Sequence, residues 1–143
     1  MKTRKSIAGV TLLEIMLVLA IAAMVIVMSV RYYQSASLNQ KMNATLDSVT
    51  GIMAGGESVL AAVGTLSNIS SAQLAPYMPN SAMPSSPWGG AMTIATSGAN
   101  SYVITIPNVP SEACTPLTNL IGQNSKLKFG GTCPGAATVT VTE

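Results

Sequence analysis

Histidine is absent from the sequence, and the five acidic side chains, Glu14, Asp47, Glu57, Glu112 and Glu143, are scattered along it. General acid–base catalysis and most metal sites need such groups in clusters. Neither an enzyme nor a metal or cofactor site is therefore expected. Charged residues of both signs make up 8% of the chain, against about 25% in an ordinary soluble domain, so Ser, Thr, Asn and Gly must cover much of any folded surface. Basic charge is also unevenly placed, because Lys2, Arg4 and Lys5 are three of the seven Lys and Arg residues. No basic patch of the kind that holds nucleic acid is left. Aromatic residues are 4% of the chain, and Trp88 is the single tryptophan.

What is present is apolar: 48% of 143 residues, enough for one small globular domain beside a membrane segment but not for two domains. Residues 10–30 read VTLLEIMLVLAIAAMVIVMSV, 21 residues with one charge, and about 20 residues of helix cross a bilayer. The basic residues precede the run and only Arg31 follows it directly, so the positive-inside rule places the N-terminus in the cytoplasm and the rest of the chain outside. A secretory signal has a shorter apolar region with a small-residue cleavage site after it. Here the small residues Ser6-Ile7-Ala8-Gly9 come first, so a cut there would remove the charged leader 1–9 and keep the apolar helix.

Glu14 is the exception within the run. A carboxylate deep in a bilayer costs about 2.5–3.5 kcal/mol on insertion scales, which makes such residues functional candidates. A cut after Gly9 would leave a new amino group on Val10, about 6 Å from Glu14 along a helix, near the membrane face. The plainer alternative is a helix-end carboxylate favoured by the dipole and the unpaired N–H groups of the first turn.

Gly9-Val10-Thr11-Leu12-Leu13-Glu14 resembles the type IV prepilin motif, in which Gly precedes the cut and Glu is the fifth residue of the mature chain. The resemblance implies that a prepilin peptidase cleaves between Gly9 and Val10 and methylates the Val10 amine. It also implies that Glu14 attracts the N-terminal amine of a neighbouring subunit, a pairing that would offset two charges each costly alone and so set the register of packed helices. Tyr32-Tyr33-Gln34-Ser35-Ala36-Ser37 resembles the matching stretch of bundle-forming pilins, of the type IVb class. Val10, in place of the Phe common in type IVa pilins, points the same way, although the leader and head are shorter than is usual for type IVb.

The fold expected is α+β, a long N-terminal helix packed on a small antiparallel β-sheet. Beyond residues 10–30, Leu38, Met42, Leu46, Val49 and Met53 recur at helical spacing, so the helix should continue through an amphipathic section, 31–63, with a bend or early end at Gly55-Gly56 open. In the head, residues 64–143, a proline-rich connector from Leu66 to Pro87 leads to two strand-like runs, Ala91–Thr96 and Ser101–Ile106. The loop Ser97-Gly98-Ala99-Asn100 between them suits a hairpin. Pro87-Trp88-Gly89-Gly90 resembles the Pro-aromatic-Gly-Gly stretch ahead of the sheet in type IVb pilins, and Trp88 is expected to plug the gap between helix and sheet. A short helix with Ser111 or Thr115 as N-cap and Pro116 in its first turn should end at Gly122. Lys126–Phe129, a Gly130-Gly131 turn and Ala137–Thr142 complete three to five strands.

Cys114 and Cys133 fall outside the cytoplasm, where a disulfide is the natural expectation, with two reduced, buried cysteines as the alternative. The bond would tie the short helix to the last strand and stabilise the head by about 3 kcal/mol through loop-closure entropy. Type IVb pilins carry a similar C-terminal disulfide-bounded region.

As a whole the resemblance implies a structural subunit of a type IV pilus, used in adhesion, aggregation or conjugation. Its partners would be copies of itself in a helical filament, the prepilin peptidase, an assembly ATPase and an inner-membrane platform. It would be an inner-membrane protein before assembly and part of an extracellular fibre afterwards. Two other readings compete. A type II secretion pseudopilin shares the N-terminal motif, but its major form has an acidic calcium loop near the C-terminus, whereas from Cys114 onward the only acidic side chain here is Glu143. A non-polymerising single-pass membrane protein with a small external binding head explains the span but leaves Gly9 and Glu14 to coincidence.

Overall fold

A computed structural model of the chain describes residues 11–142. The leader 1–9 and the cleavage and methylation residues Gly9 and Val10 lie outside the described residues. The layout is α+β, with a long N-terminal helix and a small antiparallel sheet.

Helix α1 runs over Leu12–Val63, 52 residues. Its sequence is dominated by good helix formers, and the first proline of the chain is Pro76, well beyond it. Hydroxyl side chains inside it do not divert the backbone, because they donate to carbonyls one turn back, as Ser29 does to Val25 (2.8 Å) and Ser48 to Ala44 (2.9 Å). The end open at Gly55 in sequence falls at Gly64 instead, which takes φ +81° and donates its N–H to Leu60 O at 2.7 Å. That is a left-handed residue closing a helix, a conformation glycine adopts without the Cβ penalty. The chain divides into two compact units, one through Ser37 and one from Leu38 onward.

In the second unit, α1 buries Met42, Thr45, Val49, Ile52, Met53, Gly55, Gly56 and Val59, the three- and four-residue spacing of one helix face. The connector after it is built of α2 (Ser71–Leu74) and two 3-10 turns, Ala75–Tyr77 and Pro79–Ser81, and Leu66, Ile69, Leu74 and Met78 turn inward from it. Strands β1 (Thr93–Gly98), β2 (Ser101–Val109), β3 (Leu127–Gly131) and β4 (Gly135–Thr142) form one sheet in the order β1-β2-β4-β3, every neighbouring pair antiparallel. The core face is set by alternation: Tyr102, Ile104 and Ile106 of β2 oppose Val141, Val139 and Ala137 of β4, and all six are fully buried. Helix α3 (Ser111–Ile121) covers further core with Ala113, Leu117 and Ile121, a stripe at four-residue spacing.

Several local expectations are corrected. The first hairpin is tighter than a four-residue loop, since Gly98 pairs with Ser101 across Ala99-Asn100 and the extra residue is taken up as an irregularity between Thr96 and Gly98. In α3 neither Ser111 nor Thr115 is the N-cap. Pro110 holds that position with no side-chain cap bond, and Pro116 lies inside the helix, where it forgoes a backbone bond. Burial of the Ala113–Leu117–Ile121 stripe outweighs that local preference. Gly122 does end the helix, with right-handed backbone. Gly130-Gly131 is not a turn but the end of β3, paired with Thr138 and Ala137. A Cβ at Gly131 would lie 2.8 Å from Ala136 O and 2.9 Å from Thr138 N, so the strand backbones approach too closely there for any side chain. The chain reverses instead between Gly131 and Gly135.

Trp88 is half-buried, packed against the core and hydrogen-bonded to α1 at Thr45, while Tyr102 of β2, 0% exposed, fills the fully buried position between helix and sheet. Gly56 makes the room: a Cβ there would sit 2.7 Å from the Tyr102 hydroxyl oxygen and 3.0 and 3.1 Å from its Cζ and Cε1.

Candidate functional site

The described part of the first unit begins at the capped end of α1. Thr11 Oγ1 accepts a hydrogen bond from the Glu14 backbone N–H at 3.3 Å, and Thr11 O accepts from the N–H groups of Glu14 and Ile15 at 3.0 and 3.2 Å. Thr11 thus acts as N-cap with Glu14 three residues on, the spacing of a capping box. Glu14 is the only charged side chain between Thr11 and Val30. It is exposed, and no ion pair reaches it among the described residues.

Around it, the side chains from Thr11 to Ala36 are all exposed, including Leu12 (82%), Leu17 (57%), Ile21 (57%) and Ile26 (62%). The exposure goes all round the helix rather than along a stripe. Burying large apolar side chains contributes about 1.5–3 kcal/mol each, so over such a run the free energy at stake is on the order of 20–40 kcal/mol. The helix is long and apolar enough to cross a membrane.

No family model, characterised protein or solved structure matches this chain.

In the second unit Cys114 and Cys133 are joined, with their Cα atoms 6.1 Å apart. The bond links α3 to the connection between β3 and β4, rather than to the last strand itself, because Cys133 precedes β4. It closes a loop holding β3, one of the two edge strands of the sheet, which makes it a clamp on a segment with a single strand neighbour.

The Trp88 segment is stitched to α1 by side chains that the sequence did not mark. The Trp88 indole N–H donates to Thr45 Oγ1 at 3.1 Å, and that hydroxyl donates in turn to Lys41 O at 2.8 Å. Lys41 Nζ lies 5.4 Å from the ring centroid, within cation–π range. Thr45, fully buried, therefore uses its hydroxyl as acceptor and donor at once. A buried Thr on the apolar stripe of a helix was the available signal. A groove of about 490 Å³ beside Asp47, Ser48, Gly51, Met78 and Asn80 offers one carboxylate and no second titratable group. Among the described residues no three of His, Cys, Asp or Glu come together.

Proposed function

We propose that this chain is the precursor of a type IV pilin-like subunit, of the type IVb kind, which polymerises through α1 into a surface filament. The observation that carries this reading is the first part of α1: apolar side chains exposed on every side, with one carboxylate in the capped first turn. A soluble head does not need such a helix, and a plain anchor does not need Glu14.

On this reading the chain waits in the inner membrane with lipid around the apolar run and residues 38–142 outside. Cleavage between Gly9 and Val10 by a prepilin peptidase frees an amine for methylation. An assembly ATPase and its membrane platform then draw the subunit into a filament, where neighbouring helices replace the lipid. Apolar burial is conserved in that exchange, and Ala20, Ala22 and Ala23 permit close approach of helices. Glu14 supplies register, because pairing with the Val10 amine of a neighbour satisfies two charges only at one stagger. The disulfide-clamped head faces outward and carries whatever contact the filament makes, in adhesion, aggregation or conjugation.

The test is N-terminal mass analysis of the protein purified from its native cell. Loss of residues 1–9 and an N-methylated Val10 are expected. An intact Met1 in the mature protein would overturn the proposal in favour of the non-polymerising membrane protein.

A further inference from the structure

The apolar run of α1 closes with Arg31-Tyr32-Tyr33. Both tyrosines stand in the open, 79% and 74% exposed, and adjacent helical positions are about 100° apart, so the two rings sweep a wide arc at one level of the helix. They flank a shallow groove with Met28, Ser29 and Ala36, where the small side chains keep the helix surface low. Just beyond, the residues become polar, with Gln34, Ser35 and Ser37. Tyrosine has an apolar body and a polar tip, and it gathers where a bilayer meets water. Arginine beside it can lay its stem on the apolar side and keep its charge among headgroups.

Length and charge select the occupant. From Thr11 to Val30 the helix rises about 30 Å, which is the thickness of the hydrocarbon core. With Thr11 at one interface, Tyr32 and Tyr33 arrive at the other. Lys2, Arg4 and Lys5 lie before the run, which assigns that end to the cytoplasm and the tyrosines to the outer leaflet.

We propose that Arg31, Tyr32 and Tyr33 form an outer-leaflet anchor that binds the lipid headgroup region and fixes the depth of α1. Glu14 lies about 27 Å down the helix from Tyr32, so the anchor holds it at the opposite interface, where a carboxylate costs least. The anchor thereby keeps Glu14 among headgroups for as long as α1 lies in the bilayer. This rests on the membrane stage of the reading above and not on polymerisation.

The experiment uses the full chain reconstituted in phosphatidylcholine vesicles whose acyl chains carry bromine either near the headgroup or near the terminal methyl. Tyr32→Trp and, separately, Tyr33→Trp report depth by fluorescence quenching, and the parent chain with only Trp88 supplies the background to subtract. The expected result is quenching about twofold or more stronger from the shallow bromine than from the deep one. Equal or stronger quenching from the deep bromine, or quenching by aqueous iodide alone, would overturn the anchor. Shallow quenching in a protein whose native form keeps Met1 would leave the anchor standing and remove the pilin reading. A processed, methylated N-terminus with deep quenching would do the reverse.

Discussion

Replacing Gly56 by Ala isolates the contact that organises the second unit. In an exposed helix interior Gly→Ala gains about 1 kcal/mol of helix propensity. At Gly56 the new methyl would meet Tyr102 at 2.7 Å from the hydroxyl oxygen and at 3.0 and 3.1 Å from ring carbons. The ring is 0% exposed and rigid, so it cannot swing into solvent, and overpacking of this kind costs about 1–3 kcal/mol. With three contacts inside ordinary packing distance the upper part of that range applies, leaving a net loss of about 1–2 kcal/mol. Gly51, on the same helix, has nothing within 4 Å of an added Cβ, so Gly51→Ala should instead stabilise by about 0.5–1 kcal/mol. For a domain of roughly 100 residues each kcal/mol moves the midpoint by about 4–8 °C. The assay is thermal unfolding of the full chain in detergent with the disulfide intact, followed by Trp88 fluorescence and the near-ultraviolet tyrosine signal. Tyr102→Phe removes the closest atom and should recover part of the Gly56→Ala loss in a double-mutant cycle. If Gly51→Ala and Gly56→Ala shift the midpoint in the same direction by similar amounts, close approach of Tyr102 to the helix is not what requires a glycine there.

Three further outcomes are expected. On the proposed filament function, Glu14→Ala should leave the subunit processed and inserted but largely missing from sheared surface fibres, and normal fibre yield would remove Glu14 from assembly. Cys114→Ser should cost the head about 3 kcal/mol, as loss of a loop-closing bond does, seen as lower subunit levels and faster proteolysis outside the cytoplasm; an unchanged cleavage pattern would count against it. Thr45→Val should destabilise by about 1 kcal/mol and shift Trp88 emission, because the indole N–H loses its acceptor while the isosteric side chain still fills the space; an unaltered spectrum would mean the bond does not persist in solution.

The N-terminal helix and its long apolar run were legible because hydrophobicity and helix propensity are properties of consecutive residues. So was the strand character of Ser101–Ile106, rich in β-branched and aromatic residues, and of Ala137–Thr142, where apolar and polar side chains alternate. Glu14 could be singled out for the same local reason, as the only charge in an apolar run. Tyr102 was not singled out as the fully buried aromatic because size alone does not say which ring goes deepest, and the space for it is created by a glycine 46 positions earlier in sequence. Gly130-Gly131 looked like a turn because glycine's local freedom hides its other use, letting two backbones come close.

By itself, then, the sequence determined an apolar helix long enough for a bilayer, a carboxylate near its start, strand-forming runs and a cysteine pair in the head. The tertiary structure alone decided where the helix ends, which aromatic fills the core, that β4 lies between β2 and β3, and that the disulfide clamps the edge hairpin. The division has one physical cause. Periodicity and hydrophobicity act between near neighbours, whereas close approach, cap position and strand order depend on residues that meet only after the chain has folded.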